Sequence, residues 1–380
     1  MSITLSDARV VTLDGEHDGW LTIEDGRITH IGHGAAPGNG HSLGGRLVVP
    51  GFVDMHSHGG AGGSFPDGDP GTAAEVAAFH LGKGTTTMVA SLVTAPLDRI
   101  ARAASALADL CEQGLLAGIH FEGPYIARSR CGAHDPALLR DPSREEFRQL
   151  LKAGRGQVRM LTIAPELPGA LDVIRDAVAD GVIAALGHSD AGYDKTIEGI
   201  EAGASVATHL YNAMPQLGHR NPGPIAALLE DDRVTVELIN DGVHVHPAML
   251  GLAMRVAGSG RTALITDAMA AAGMGDGRYP LGPMTVDVKD GVARITDGGS
   301  IAGSTLTMDV AFKRTVEQVG VAPAEVARMA SLTPARVLGL DHEIGSITVG
   351  KYADLVVLGD TLEVEGVMRR GVWIRRPSGA

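Results

Sequence analysis

The sequence predicts an α/β protein: a (β/α)8 TIM barrel with a small β-sandwich domain built from both chain termini. In the middle of the 380-residue chain, strand-like runs alternate eight times with helical patterns. Both ends instead contain short strand-like runs separated by glycine-containing turns. An open doubly wound sheet is the alternative, but no dinucleotide-binding glycine fingerprint follows any strand. The predicted domains are residues 1–50 and 345–380 for the β domain and 51–344 for the barrel.

Composition excludes several classes of function. Hydrophobic residues make up 44% of the chain and aromatic residues only 3%, so the core is predicted to be aliphatic. The net charge of −13, without a long basic run, argues against nucleic acid or an anionic membrane as a partner. Two cysteines, Cys111 and Cys131, cannot form a disulfide framework. With no signal-peptide pattern and no membrane-spanning apolar run, the predicted location is the cytoplasm.

The stretch at residues 47–59, LVVPGFVDMHSHG, predicts the buried strand that opens the barrel. Side chains alternate faces along a strand, so Asp54, His56 and His58 point the same way. Two imidazoles so placed at the end of a strand can reach one metal ion. The alternative is a pair of surface histidines beside a turn.

The next elements are predicted from capping residues and periodicity. Thr72 begins a helix, and Glu75 completes a capping box with it. Residues 85–93 are β-branched and predict the second strand. A helix at 97–113 follows from apolar residues at helical spacing, and a third strand lies at 117–122.

The remaining helices and strands complete the alternation. Asp141-Pro142 is predicted to start a helix, with the aspartate as its cap and the proline in its first turn. Five further strands are predicted at residues 158–164, 182–186, 205–209, 234–239 and 263–266, and helices at 171–179, 193–202, 224–230 and 247–256.

Polar residues with metal chemistry follow five of these strands. They are His56 and His58, Glu122, His188, His209 and Asp267. A single histidine after a strand is more often a core residue or a helix cap, but a barrel brings all its carboxyl strand ends to one rim. Several imidazoles and one carboxylate there predict an open, catalytic metal site. Such a metal lowers the pKa of bound water and polarises a carbonyl oxygen, and Asp267 is placed to transfer the proton.

Several motifs carry a family resemblance. PGFVDMHSHG, HFEGPY, GHSDA, THLYNAM and TDAM resemble the amidohydrolase superfamily. Within it, HFEGPY followed by CGAHDP, together with THLYNAMPQLGHR, DGVHVHP and IAGSTLTM, is similar to the N-acetylglucosamine-6-phosphate deacetylases. The resemblance implies hydrolysis of the acetamide of N-acetyl-D-glucosamine 6-phosphate to D-glucosamine 6-phosphate and acetate, in amino-sugar catabolism or cell-wall recycling.

The resemblance also implies a set of metal ligands. Glu122, His188 and His209 match the ligands of the principal metal, and His56 and His58 match a pair that holds a second ion in some members. The fourth strand has no lysine for carboxylation, so Glu122 is the candidate bridge if two ions bind. Zinc is the favoured metal, and iron, cobalt, manganese and nickel also suit these ligands. In this scheme Asp267 is the general base and then the general acid.

Substrate-contacting positions are implied in the same way. They are Ala133, His134, Asn212, Ala213, Arg220, His244, Ile301 and Ala302. In the family the arginine reaches the site of a neighbouring subunit, which implies a homodimer with Arg220 donated across the interface. Two competing interpretations stay open at this point. One is an amidohydrolase acting on another bond, such as a cyclic amidase or a D-amino-acid N-deacylase, and the other is a catalytically dead barrel scaffold.

Overall fold

A computed structural model describes residues 2–38, 40–296 and 299–378 and contains the predicted barrel. Eight strands follow one another around a single sheet in chain order, and the strand pairings described are parallel. A parallel bridge between Ser57 and Ala268 links its first and last edges. Barrel strands 1 to 8 are Phe52–Ser57, Thr85–Val93, Gly118–Glu122, Val158–Ile163, Ile183–Leu186, Val206–Ala207, Thr235–Ile239 and Thr262–Ile265. The (β/α)8 fold is confirmed.

Helices connect consecutive barrel strands, as parallel pairing requires. Their buried faces are aliphatic; in Leu97–Glu112, for example, Ile100, Ala104 and Leu107 are buried at helical spacing. Cys111 lies on this helix, where burial raises the pKa of its thiol to about 12 and makes it inert at neutral pH. The helices are Pro70–Gly82, Leu97–Glu112, Arg144–Ala153, Ala170–Ala179, Tyr193–Glu201, Gly223–Glu230 and Pro247–Ala257.

Two predicted helix starts are wrong. The first helix begins at Pro70, and the backbone N–H of Thr72 donates to Asp69 Oδ1 at 2.7 Å, so an upstream aspartate caps it. The helix Arg144–Ala153 is capped by Ser143, which accepts the N–H of Glu146, and not by Asp141. Ser143 has the extended torsions of an N-cap, with φ of −131° and ψ of 118°, so the helix starts at Arg144 and Asp141 lies outside it.

The predicted opening strand is in fact two strands. His41–Pro50 carries Val48 and Val49 in a sheet of the termini, and Phe52–Ser57 is barrel strand 1. Gly51 separates them: its N–H donates to Asp354 O, and a Cβ at this position would lie 2.3 Å from a side-chain atom of Thr86. Pro50-Gly51 marks this break in the sequence, but the apolar residues on both sides of it are buried and continue the strand-like pattern.

Both chain termini contribute to one seven-stranded sheet, as predicted. Its strands are, in sheet order, Val372–Arg375, Val364–Arg369, Leu355–Leu358, His41–Pro50, Ser2–Thr12, Gly15–Glu24 and Arg27–His33. The core on this sheet is aliphatic, with Leu5, Leu21, Ile28 and Leu355 each fully buried. This confirms the small β domain formed by the two ends.

Two features were not predicted. An antiparallel sheet of Gly277–Leu281, Met284–Lys289 and Val292–Ile295 follows barrel strand 8 and packs through Leu281 and Val286 in a cluster with Val93. A helical segment spans residues 308–337 and contains Met308–Arg314, Pro323–Ala327 and Thr333–Val337 with π-helical turns between them.

The chain divides into two compact units. One comprises residues 1–54, 78–87 and 308–380, and the other residues 55–77 and 88–307. The domain boundaries at 50/51 and 344/345 stay a prediction. In the described part of the chain, no helix is both long and apolar enough to cross a membrane.

Candidate metal centre

The carboxyl ends of the barrel strands bring the predicted ligands together. His56 lies on barrel strand 1 and Glu122 ends barrel strand 3, whereas His188, His209 and Asp267 each lie two residues beyond a strand. These last three have left-handed backbone torsions, with φ of 48°, 27° and 50°, so the chain turns sharply where each side chain enters the rim. All six polar residues predicted at the strand ends are buried.

Glu122 is the centre of the cluster. Its Oε1 lies 2.9 Å from His209 Nε2 and 3.1 Å from His188 Nε2. Its Oε2 lies 3.2 Å from His58 Nε2, and His56 Nε2 is 3.6 Å from Oε1. The carboxylate therefore faces both predicted histidine pairs, as a ligand bridging two metal positions would.

In three histidines, the hydrogen bond made by Nδ1, the ring nitrogen that does not face Glu122, determines the tautomer. His56 Nδ1 lies 3.1 Å from Glu237 Oε2, His58 Nδ1 lies 3.1 Å from the Ser91 carbonyl, and His188 Nδ1 lies 2.8 Å from the Arg130 carbonyl. A carbonyl or carboxylate oxygen only accepts, so each Nδ1 carries the proton. In the neutral ring, Nε2 then presents a lone pair to the centre of the site, as a metal ligand must.

These lone pairs and the Glu122 carboxylate create a strongly negative electrostatic potential at the centre of the site. His56 Nε2 and His58 Nε2 are 3.3 Å apart and both face Glu122. Burial alone lowers the pKa of His58, but hydrogen bonds to Asp267 and Glu122 outweigh it and raise that pKa to about 9. The site thus stabilises a positive charge at these rings, either a proton or a metal cation. Four imidazoles and a carboxylate fit a divalent first-row transition-metal cation.

His134 is oriented in the opposite way. Its Nδ1 accepts the backbone N–H of Thr94 at 3.2 Å, so the proton of the neutral ring is on Nε2, which lies 3.3 Å from Glu122 Oε2. Burial lowers the pKa of His134 to about 4 despite this carboxylate, so the ring is neutral at pH 7. His134 therefore donates to Glu122 and holds the carboxylate in place.

Asp267 lies beside the histidine pair. Its Oδ1 is 3.2 Å from His58 Nε2 and 3.6 Å from His56 Nε2, and its backbone N–H donates to the His56 carbonyl. Burial raises the pKa of Asp267, but the hydrogen bond to His58 and the charges of both histidines outweigh burial and lower the pKa to about 2. The carboxylate is ionised at neutral pH and can accept a proton.

A cavity of about 370 Å³ opens onto these groups. Of the predicted substrate-contacting residues, it is lined by Ala133, His134, Asn212, Ala213, His244 and Ile301. Ala302 is buried and does not line the cavity. Arg220 is exposed and does not line the cavity of its own chain either. His244 Nδ1 lies 2.7 Å from Asp241 Oδ2; burial opposes protonation of the ring, but this contact raises the pKa of His244.

The residues that hold the ligands were not predicted from the sequence. Glu237 contacts His56, and its position inside the strand Thr235–Ile239, whose neighbours are aliphatic and buried, was the available signal. Ser91 and Thr162 had no such signal. They hydrogen-bond the two nitrogens of His120, whose ring lies 4.6 Å from that of His56.

Comparison with known proteins places these features in a family. Residues 47–374 match the model of the amidohydrolase family. The chain is similar to N-acetyl-D-glucosamine-6-phosphate deacetylase from Mycobacterium smegmatis, solved as a D267A mutant in complex with N-acetyl-D-glucosamine-6-phosphate. The two are 47% identical with a TM-score of 0.96, over 99% of this chain and 100% of that chain.

Two further relatives have related activities. The chain is 40% identical to N-acetylgalactosamine-6-phosphate deacetylase from Escherichia coli O157:H7, over 98% of this chain and 99% of that protein. It is 39% identical to N-acetylglucosamine-6-phosphate deacetylase from Vibrio furnissii, over 85% of this chain and 82% of that protein. The match to the Escherichia coli protein extends over the terminal sheet as well as the barrel.

Proposed function

The chain belongs to the amidohydrolase family, and on that premise we propose that it hydrolyses the acetamide of N-acetyl-D-glucosamine 6-phosphate to D-glucosamine 6-phosphate and acetate. The observation that carries the proposal is the cluster of Glu122, Asp267 and four histidines at one cavity, which His58, His188 and His209 line and beside which His56 is fully buried. The complete set argues against a dead scaffold, in which drift would be expected to have removed at least one of these groups.

We assign the divalent cation to two positions that share Glu122. His188 and His209 complete the first, and His56 and His58 the second. Zinc is the favoured ion because imidazole and carboxylate ligands together suit it. When bound, such a cation supplies Lewis acidity to the carbonyl oxygen and lowers the pKa of a coordinated water.

The residues of the chain supply the proton transfers and the orientation. The Asp267 carboxylate, ionised because its pKa is about 2, accepts a proton from the attacking water and later returns it to the amine that leaves. His134 holds Glu122 through its Nε2–H. His244, held by Asp241, and Asn212 line the same cavity as Glu122, and we assign them to sugar and phosphate oxygens.

The substrate phosphate needs cationic donors, and we assign that role to His244 and to Arg220 of a neighbouring subunit in a homodimer. The exposure of Arg220, away from its own cavity, supports donation across an interface. Guanidinium groups match phosphate geometry with two parallel hydrogen bonds. Two free cysteines are in keeping with a cytoplasmic location.

Acetate release from phosphorylated and free sugars tests this function. We expect kcat/KM for N-acetyl-D-glucosamine 6-phosphate to exceed that for free N-acetyl-D-glucosamine by at least about 100-fold, because the free sugar leaves phosphate donors unpaired. The galactosamine epimer is assayed alongside, since one relative acts on it. Equal rates on both glucosamine substrates, or faster hydrolysis of a cyclic amide or an N-acyl-D-amino acid, would refute the proposal.

Mixing two inactive variants tests the donation of Arg220. Asp267→Asn subunits retain the arginine and Arg220→Ala subunits retain the base, so a mixed dimer contains one complete site if the arginine acts across the interface. Random reassociation is expected to restore about one quarter of parental activity toward the phosphorylated sugar. If the arginine serves its own subunit, mixing restores nothing.

A further inference from the structure

Glu237 joins two ligands that belong to different metal positions. It lies on barrel strand 7, and its side chain is completely buried. Its Oε2 accepts the Nδ1–H of His56 at 3.1 Å and the backbone N–H of His209 at 3.0 Å. His56 belongs to the proposed second metal position and His209 to the first, so one carboxylate oxygen holds a ligand of each.

This contact crosses the barrel rather than following the sheet. Barrel strand 8 lies between the strand of Glu237 and the strand of His56, because Ala268 pairs with Ser57. Within the described residues, Glu237 Oε1 has no hydrogen-bond partner and His56 is the ion-pair partner of Oε2. A buried carboxylate of this kind is costly unless positive charge lies nearby.

Three carboxyl groups are buried around the proposed metal centre. Glu122, Glu237 and Asp267 are 4%, 0% and 7% exposed. Of the two positions, only the one that includes His56 has a ring nitrogen hydrogen-bonded to Glu237, so the carboxylate favours a cation there most directly.

We propose that Glu237 is a positioning residue that fixes His56 with its Nε2 lone pair toward the metal centre and thereby sets the affinity of the His56/His58 position. Its second hydrogen bond, from the His209 backbone N–H, links the His56/His58 position to the His188/His209 position. The inference rests on the metal centre proposed above and not on the identity of the substrate.

Metal titration of the apoprotein tests the proposal. Glu237→Gln keeps the side-chain volume and removes the charge, and Zn²⁺ is added in competition with a chromophoric chelator. Loss of such a ligand-orienting partner is expected to weaken the His56/His58 position by about 10- to 100-fold, while the His188/His209 position changes by less than about threefold. Glu166→Gln is the matched control, because Glu166 accepts Ser189 Oγ–H and the Asp190 N–H but contacts no ligand.

A double-mutant cycle separates orientation of His56 from a general structural effect. In a His56→Gln background, Glu237→Gln is expected to cause no further loss of zinc affinity beyond about twofold. Parental zinc affinity in Glu237→Gln, or the same loss in both backgrounds, would overturn the proposal. If Glu237→Gln does not fold, Glu237→Asp withdraws the carboxylate by one methylene and is expected to weaken the same position. If the variants show these changes in zinc affinity but the parent protein releases no acetate from the phosphorylated sugar, the proposed substrate is refuted and the role of Glu237 is not.

Discussion

Asp267→Asn is expected to lower kcat by about 10³- to 10⁴-fold while leaving metal content and substrate affinity close to parental. The amide has the shape of the carboxylate but cannot accept a proton from water at neutral pH. Asp267 Oδ1 lies 3.2 Å from His58 Nε2 on the wall of the cavity, and the described residues contain no other ionised carboxylate lining it apart from Glu122, which the histidines surround. No other carboxylate in the described part of the cavity is therefore available to replace it.

The experiment measures initial rates of acetate release, metal per chain and calorimetric substrate binding for the same preparation. Asp172→Asn is the control, because that aspartate pairs with Arg175 on an exposed helix face and is expected to leave all three quantities unchanged. Near-parental kcat in Asp267→Asn would mean that the base is another group. Loss of metal would mean that Asp267 acts mainly as a ligand.

Glu122→Gln is expected to remove metal from both positions and activity with it. The carboxylate lies within 3.6 Å of a nitrogen from all five histidines of the site. Removing one partner from a buried charged set costs about 3 to 5 kcal/mol, which corresponds to more than about 100-fold in metal affinity at each position. Metal per chain after dialysis against a weak chelator and acetate release measure the effect.

His56→Gln provides the matched comparison for this prediction. It removes a ligand of one position only, so the His188/His209 position should still retain metal under the same dialysis. If Glu122→Gln and His56→Gln retain equal amounts of metal, Glu122 does not bridge two positions. Parental metal content in Glu122→Gln after the same dialysis would contradict the expected loss of affinity.

The barrel and the rim residues could be predicted because both depend on local pattern. His188, His209 and Asp267 follow strands whose β-branched and aliphatic runs are visible in sequence, and parallel strands direct their carboxyl ends to one rim. Contacts between distant positions could not be predicted. Glu237 meets His56 across 181 residues of chain, and only a folded barrel brings them within 3.1 Å.

Element boundaries failed where two signals competed. The run through Val49 and Phe52 is uniformly apolar, so its division at Gly51 depends on contacts made in the folded chain. At the third helix, Asp141 and Ser143 are both good capping residues, and the sequence does not distinguish them; in the structure Ser143 accepts the N–H of Glu146. The inserted sheet at 277–295 is short, and its register follows from packing against Val93.

The left-handed torsions at His188, His209 and Asp267 set a limit on how this enzyme can be improved. Each costs on the order of 1 kcal/mol for a residue with a Cβ, and glycine would remove that penalty together with a ligand or the base. A laboratory selection for heat tolerance alone would therefore favour substitutions at these three positions that abolish activity. Thermostabilisation is better directed at the aliphatic core of the terminal sheet, where no residue carries chemistry.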